Sequence, residues 1–121
     1  MTNKVRNPVV HFEVLGRDPS ALRKFYSEAF GWQLGPADDS PAQYSMVHMK
    51  EGGGIDGGIG KAPQGDGHVT FYVGVDDAQA ALDNIERLGG KTVQPPVQIP
   101  GGVTFALFAD PEGHVVGLVK G

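Results

Sequence analysis

Shifting the chain against itself by 59 residues lays residues 4–62 over 63–121 without a gap, and eleven of the 59 pairs are identical. The matches are Val10/Val69, Phe12/Phe71, Val14/Val73, Asp18/Asp77, Ala21/Ala80, Gly31/Gly90, Pro36/Pro95, Pro41/Pro100, Gly54/Gly113, Gly58/Gly117 and Lys61/Lys120. They fall in apolar runs and at turn residues, where a duplicated unit would keep them. Self-similarity at one fixed period means that a single supersecondary unit is used twice. Whatever the chain folds into, it must be built from two related halves.

Each half follows the same pattern. In residues 9–14, Val10, Phe12 and Val14 alternate with Val9, His11 and Glu13, the period of a half-buried strand. Asp18 then suits a helix N-cap with Pro19 at the first helical position. Leu22, Phe25, Tyr26, Ala29 and Phe30 follow at helical spacing until Gly31 stops them. In the second half, Val69, Phe71, Val73 and Val75 form the apolar strand face. Asp76 or Asp77 caps a helix carrying Ala78, Ala81, Leu82, Ile85 and Leu88, and Gly89-Gly90 ends it. Short strand-like pieces follow at 31–35, 43–49 and 55–60, and again at 91–94, 103–109 and 114–119. The unit is β-α-β-β-β, present twice and joined by the stretch 61–67.

With 121 residues, 40% of them hydrophobic and 20% charged, the chain suits one globular domain with its own core. The expected organisation is a single domain over 1–121, with one module at 4–62 and the other at 63–121. No apolar run approaches the length of a membrane span, and no leader segment is expected. The absence of cysteine excludes disulfides, thiolate metal sites and Cys nucleophiles, and fits a cytoplasmic setting. A net charge of −4 with scattered basic residues argues against nucleic acid as a partner. Nineteen glycines are concentrated at 52–60, 65–67, 89–90 and 101–102, so they punctuate structure.

The segments HFEVLGRDPSALRKFYSEAFGW (11–32), VDDAQAALDNIERLGGK (75–91), IPGG (99–102) and FADPEGHVVGLVK (108–120) resemble the vicinal oxygen chelate superfamily of glyoxalases, bleomycin-resistance proteins and extradiol dioxygenases. The resemblance runs through nearly the whole chain. It implies an α+β fold in which two βαβββ modules in tandem form a curved, partly closed mixed sheet around a cavity. It further implies a homodimer.

Metal-dependent members of that superfamily hold a divalent ion with His or carboxylate groups in the first and last strands of both modules. Mapped by motif, those positions are His11, Gly58, Thr70 and Gly117. Only His11 is a good ligand. Glycine has no side chain, and a threonine hydroxyl is poor for first-row ions. The usual metal site is therefore expected to be missing, with no cofactor required.

His11 and Glu13 share a strand face, and His68, Thr70 and Tyr72 share the matching face of the second copy. Three readings stay open for these residues: a polar-lined pocket, a displaced metal site of His11, Glu13 and His68, and metal-free acid–base chemistry by His11 and Glu13. The first implies a protein that binds a small, partly apolar organic molecule through Val9, His11, Glu13, Gly58, His68, Thr70, Tyr72 and Gly117. The others imply a lyase, isomerase or dioxygenase.

His48 is expected on the same side as Tyr44 and Met46, His114 at the surface, and Trp32 in packing. Gly52, Gly54 and Gly57 satisfy G-x-G-x-x-G, but no helix follows, so a dinucleotide site is excluded by context. The glycine run is read instead as a place where backbone approaches a ligand or the other module closely.

Overall fold

In the computed structural model, which describes residues 6–120, every apolar run identified above forms an element. Among the described residues there are eight strands and two α-helices, an α+β fold in two compact units. One unit comprises residues 11–70. The other takes residues up to Val10 together with Phe71 onward. These limits differ from the module boundaries at 62 and 63. The segment before Val10 is drawn to the second unit, where the Gly74 N–H donates to the Pro8 carbonyl at 2.8 Å.

The 11–70 unit holds most of β1 (Val9–Gly16), then α1 (Pro19–Phe30), β2 (Gln33–Leu34), β3 (Ser45–His48) and β4 (Gly57–Lys61). Its strands lie in the order β2-β3-β4-β1, with β4 parallel to β1 and the other neighbours antiparallel. Asp18 caps α1 by accepting from the Ala21 N–H at 3.1 Å, which contributes about 1 kcal/mol. Gly31 ends the helix with φ of 70°, a left-handed conformation that glycine adopts without a Cβ clash. The core is Val14, Val47 and Ile59, with Phe12, Leu22, Tyr26, Trp32, Leu34 and Met49 packed against it.

The second unit holds β5 (His68–Gly74) from Phe71 onward, α2 (Ala78–Arg87), β6 (Lys91–Gln98), β7 (Thr104–Ala109) and β8 (Val115–Lys120). Its order is β5-β8-β7-β6, again with one parallel pair, β5 and β8. Asp77, not Asp76, caps α2 by accepting from the Ala80 N–H at 3.0 Å. The core is Ala78, Leu82, Ala106 and Leu118, joined by Val73, Val75, Ala81, Ile85 and Phe108.

The repeat is visible in the hydrogen-bond register. Glu13 lies opposite Gly58 in the first unit, and Tyr72 opposite Gly117 in the second, both displaced by 59. The gap-free alignment fails at the third strand of the unit. Ile59 faces Ser45, whereas its counterpart Leu118 faces Ala106, a displacement of 61. Two residues have entered between the helix and that strand. Parallel pairing of the first and last strands of the unit tolerates this, because it depends on the positions of β1 and β4 and not on the length of what connects them.

Two expectations about apolar faces are corrected. Val69 is 72% exposed and Phe71 is 42% exposed, so the apolar stripe of β5 is buried only toward its end. The cluster around Leu82 reaches Val73 and Val75 but not the start of the strand. On α1, Leu22 and Tyr26 join the core while Phe25 and Phe30 remain largely exposed.

Candidate functional site

The alternation of β1 places Phe12 and Val14 against the core and leaves His11 and Glu13 on the opposite face. Glu13 is nonetheless buried, at 8% exposure. What covers it is Tyr44, for which periodicity alone predicts a shared side with Met46 and His48 and no role in the site. The Tyr44 hydroxyl donates to Glu13 Oε2 at 3.0 Å and lies 2.8 Å from His11 Nε2. The two rings stack with centroids 6.3 Å apart and planes 19° from parallel. His68 stands on the other side of the carboxylate, with Nε2 3.7 Å from Glu13 Oε1 and its side chain 39% exposed.

The segment Gly58-Ile59-Gly60 explains how an aromatic ring reaches this position. Ile59 is fully buried in the core, so the glycines on either side of it face the other way. A Cβ at Gly58 would fall inside the Tyr44 ring, and one at Gly60 would lie 2.9 Å from its edge. On the core face, a Cβ at Gly57 would collide with the Phe12 ring. The glycine run therefore accommodates this unit's own aromatic side chains. That replaces the expectation that it admits a ligand or the other module.

The chain before Tyr44 is held to fit. Asp38 Oδ1 accepts from the Ser40 N–H and hydroxyl at 3.0 and 2.6 Å and from the Tyr44 N–H at 3.1 Å. The Asp38 N–H returns a bond to the Tyr44 carbonyl at 2.9 Å. The Ser40 hydroxyl and the Tyr44 N–H hold the Asp38 carboxyl below its usual range. Arg23 donates to the Gln43 carbonyl at 3.3 Å, and Lys61 N–H to that of Ala42 at 2.6 Å. Tyr44 is thus fixed from both sides of its backbone.

His11 is half-buried, and its pKa is lowered, chiefly because burial disfavours the imidazolium. The negative charges of Glu13 and Asp56 act against that shift without reversing it.

The four positions at which relatives carry metal ligands can now be judged on geometry. His11 is engaged with Tyr44, the space above Gly58 is filled by the Tyr44 ring, and Thr70 is buried with a hydroxyl as its one donor. In the other unit, a Cβ at Gly117 would run into the Tyr72 ring. This set does not suit a divalent ion, which needs about three imidazole or carboxylate donors. Among the described residues, no three His, Asp or Glu side chains are grouped to hold a metal. The displaced trio fares no better, since His11 and Glu13 are held apart by the phenol that bonds both.

The remaining residues take simpler places. Val9 is 45% exposed at the start of β1. Trp32 packs, stacking on Tyr26 at 5.0 Å and tilting against Phe12 and Phe30. It also borders a recess of about 620 Å³ lined by His48, Met49, Lys50 and Asp56, which includes neither His11 nor Glu13. His114 is exposed and paired with Asp110 at 2.9 Å.

The same architecture is found in solved structures. A Streptomyces coelicolor methylmalonyl-CoA epimerase variant superposes with a TM-score of 0.72, 16% identity, and coverage of 96% of this chain and 95% of that one. A glyoxalase/bleomycin resistance protein/dioxygenase superfamily member from Vibrio splendidus gives 0.64 at 15% identity, covering 95% and 99%. The fold of these two structures is shared by this chain, and together with the family match below it is that of the vicinal oxygen chelate group. Within that class, residues 11–119 match the glyoxalase-like domain model, and the chain belongs to that family. The CFP32 protein of Mycobacterium bovis is 32% identical over 111 residues. That match takes in 84% of this chain but spans only 41% of CFP32. Among the described residues, no helix is long and apolar enough to cross a membrane.

Proposed function

We propose that this protein is a metal-independent, small-molecule-binding member of its family, with the ligand held against the polar face formed by His11, Glu13, Tyr44, His68 and Thr70. The observation that carries this reading is the placement of Tyr44. Its ring takes the volume that a ligand side chain at position 58 would need, and its hydroxyl ties together the two best donors nearby. A site arranged in this way offers hydrogen-bond partners of fixed direction near the partly exposed Met46, which pairs with Gly58, and this suits a partly apolar organic molecule. Val9, Tyr72 and Gly117 lie in the other unit, and the proposal does not draw on them. The working form is a homodimer in the cytoplasm.

One observation favours a second reading. The chain from His11 through Tyr44 to Glu13 is continuous at hydrogen-bond distance, and a half-buried imidazole biased toward its neutral form is a competent base. An isomerase or lyase moving a proton without a metal would use these groups.

Elemental analysis of purified protein, together with mass spectrometry of whatever small molecule accompanies it, tests the proposal. Far less than one ion per chain is expected, and zinc, nickel or manganese should not increase ligand affinity. Near-stoichiometric metal that is lost in His11→Ala would overturn it. Turnover of a bound molecule that disappears in Glu13→Gln would establish the enzyme reading instead.

A further inference from the structure

We infer that Asp38 is a positioning residue for the proposed binding face. It is exposed at the surface and its hydrogen bonds go to Ser40 and Tyr44, yet it sets where the Tyr44 phenol lies between His11 and Glu13. This deepens the proposed function and rests on it for the use made of that face.

The sheet leaves room for such control. β3 joins β4 from Ser45, opposite Ile59, onward, so Tyr44 stands one residue outside the ladder. Its backbone direction depends on the loop that leads into β3, and that loop is closed on itself. The Tyr44 N–H donates to Asp38 Oδ1 at 3.1 Å, and the Asp38 N–H donates to the Tyr44 carbonyl at 2.9 Å. Residues 38 and 44 therefore hold each other across the loop. The same carboxylate oxygen accepts from the Ser40 N–H and hydroxyl at 3.0 and 2.6 Å, and the Ser40 hydroxyl accepts in turn from the Ala42 N–H at 3.2 Å.

One residue of this loop is strained. Gln43, directly before Tyr44, has φ of 47°, a left-handed conformation that is unfavourable for any residue with a Cβ. Such a conformation persists where its surroundings impose it. Here the bonds gathered on Asp38 span it, and the Gln43 N–H donates to the Ser40 carbonyl at 3.0 Å inside the same ring. Without the carboxylate, three of these bonds are lost and Gln43 is free to return to negative φ. That rotation turns the Cα–Cβ direction of Tyr44. The hydroxyl lies at the far end of a long rigid side chain, so a small turn of the backbone becomes a large displacement of the phenol oxygen. Asp38 acts on the backbone of Tyr44, and its effect adds to that of whatever the ring itself touches.

Gly58→Ala reports where the ring lies, because its methyl would fall inside it. In urea denaturation of the full chain, Gly58→Ala should destabilise the otherwise unchanged protein. In an Asp38→Ala background that cost should fall to less than half, a coupling between two residues whose side chains are joined only through Tyr44. Asp38→Asn keeps an oxygen able to accept the same bonds and should restore most of the cost. The nuclear Overhauser effect between the Tyr44 ring and the Gly58 α-protons should be present in the unchanged protein and in Asp38→Asn, and lost in Asp38→Ala. Asp38→Glu, whose longer chain moves the oxygen off its donors, is read in the same way if Asp38→Ala does not fold. Full cost of Gly58→Ala in these backgrounds, with the Overhauser effect intact, would overturn the inference and show that β3 alone orients Tyr44. That outcome would leave the binding reading standing, which fails separately if no small molecule accompanies the purified protein.

Discussion

The ring of Tyr44, just before β3, occupies the space that a side chain on Gly58 of β4 would need, although the two residues lie fourteen positions apart in sequence. Gly58→Ala should therefore destabilise the protein by about 1–3 kcal/mol through overpacking, measured by urea denaturation. The same change in a Tyr44→Ala background should cost much less, because the colliding ring is gone. Additive effects in this double-mutant cycle would show that the two residues are not coupled.

His11 should titrate below 6.5, followed by the imidazole carbon shifts in NMR. Burial is the largest cause of the shift, and Glu13 opposes it, so Glu13→Gln should lower the midpoint further. The sign for stability follows from the lowered value. The unfolded chain takes up the proton first, so the contribution of His11 is complete above about pH 6.5 and is lost as pH falls toward the folded midpoint. A midpoint at or above 6.5 would contradict the burial of this ring.

Ser45 is fully buried, and its hydroxyl has no hydrogen-bond partner among the described residues. The register places it opposite Ile59, where the second unit has the fully buried Ala106 opposite Leu118. Ser45→Ala should accordingly be neutral or stabilise by about 1 kcal/mol, since a desolvated and unsatisfied hydroxyl is removed. A clear loss of thermal stability would mean that the hydroxyl is satisfied by a group such as a buried water.

Phe25, Phe30, Val69 and Leu88 are each at least 60% exposed and offer apolar surface to a partner. A two-fold dimer, the commonest closed assembly, would cover part of it. Light scattering across micromolar concentrations should return twice the chain mass, and Phe25→Lys or Val69→Lys should shift the equilibrium toward monomer. A single-chain mass throughout would rule the dimer out.

The elements themselves were legible in the sequence. Strand alternation, helical spacing, the caps Asp18 and Asp77 and the stop at Gly31 are local patterns, each decided within a few neighbouring residues. The 59-residue repeat was legible for the same reason, and so were the poor metal-ligand character of Gly58, Thr70 and Gly117 and the shared face of His11 and Glu13. Tyr44 could not be given its role in this way. Its importance depends on β3 lying beside β4, and β4 beside β1, which are pairings between residues far apart in the chain. The glycines flanking Ile59 were a signal that something large must lie over them, but nothing local to β4 says which ring it is. The two-residue slip between Ser45 and Ala106 was hidden likewise, because register belongs to hydrogen bonds between strands and not to the periodicity within one. Local chemistry determined the two units and what each strand could offer. The contacts between strands decided that the Tyr44 phenol stands between His11 and Glu13.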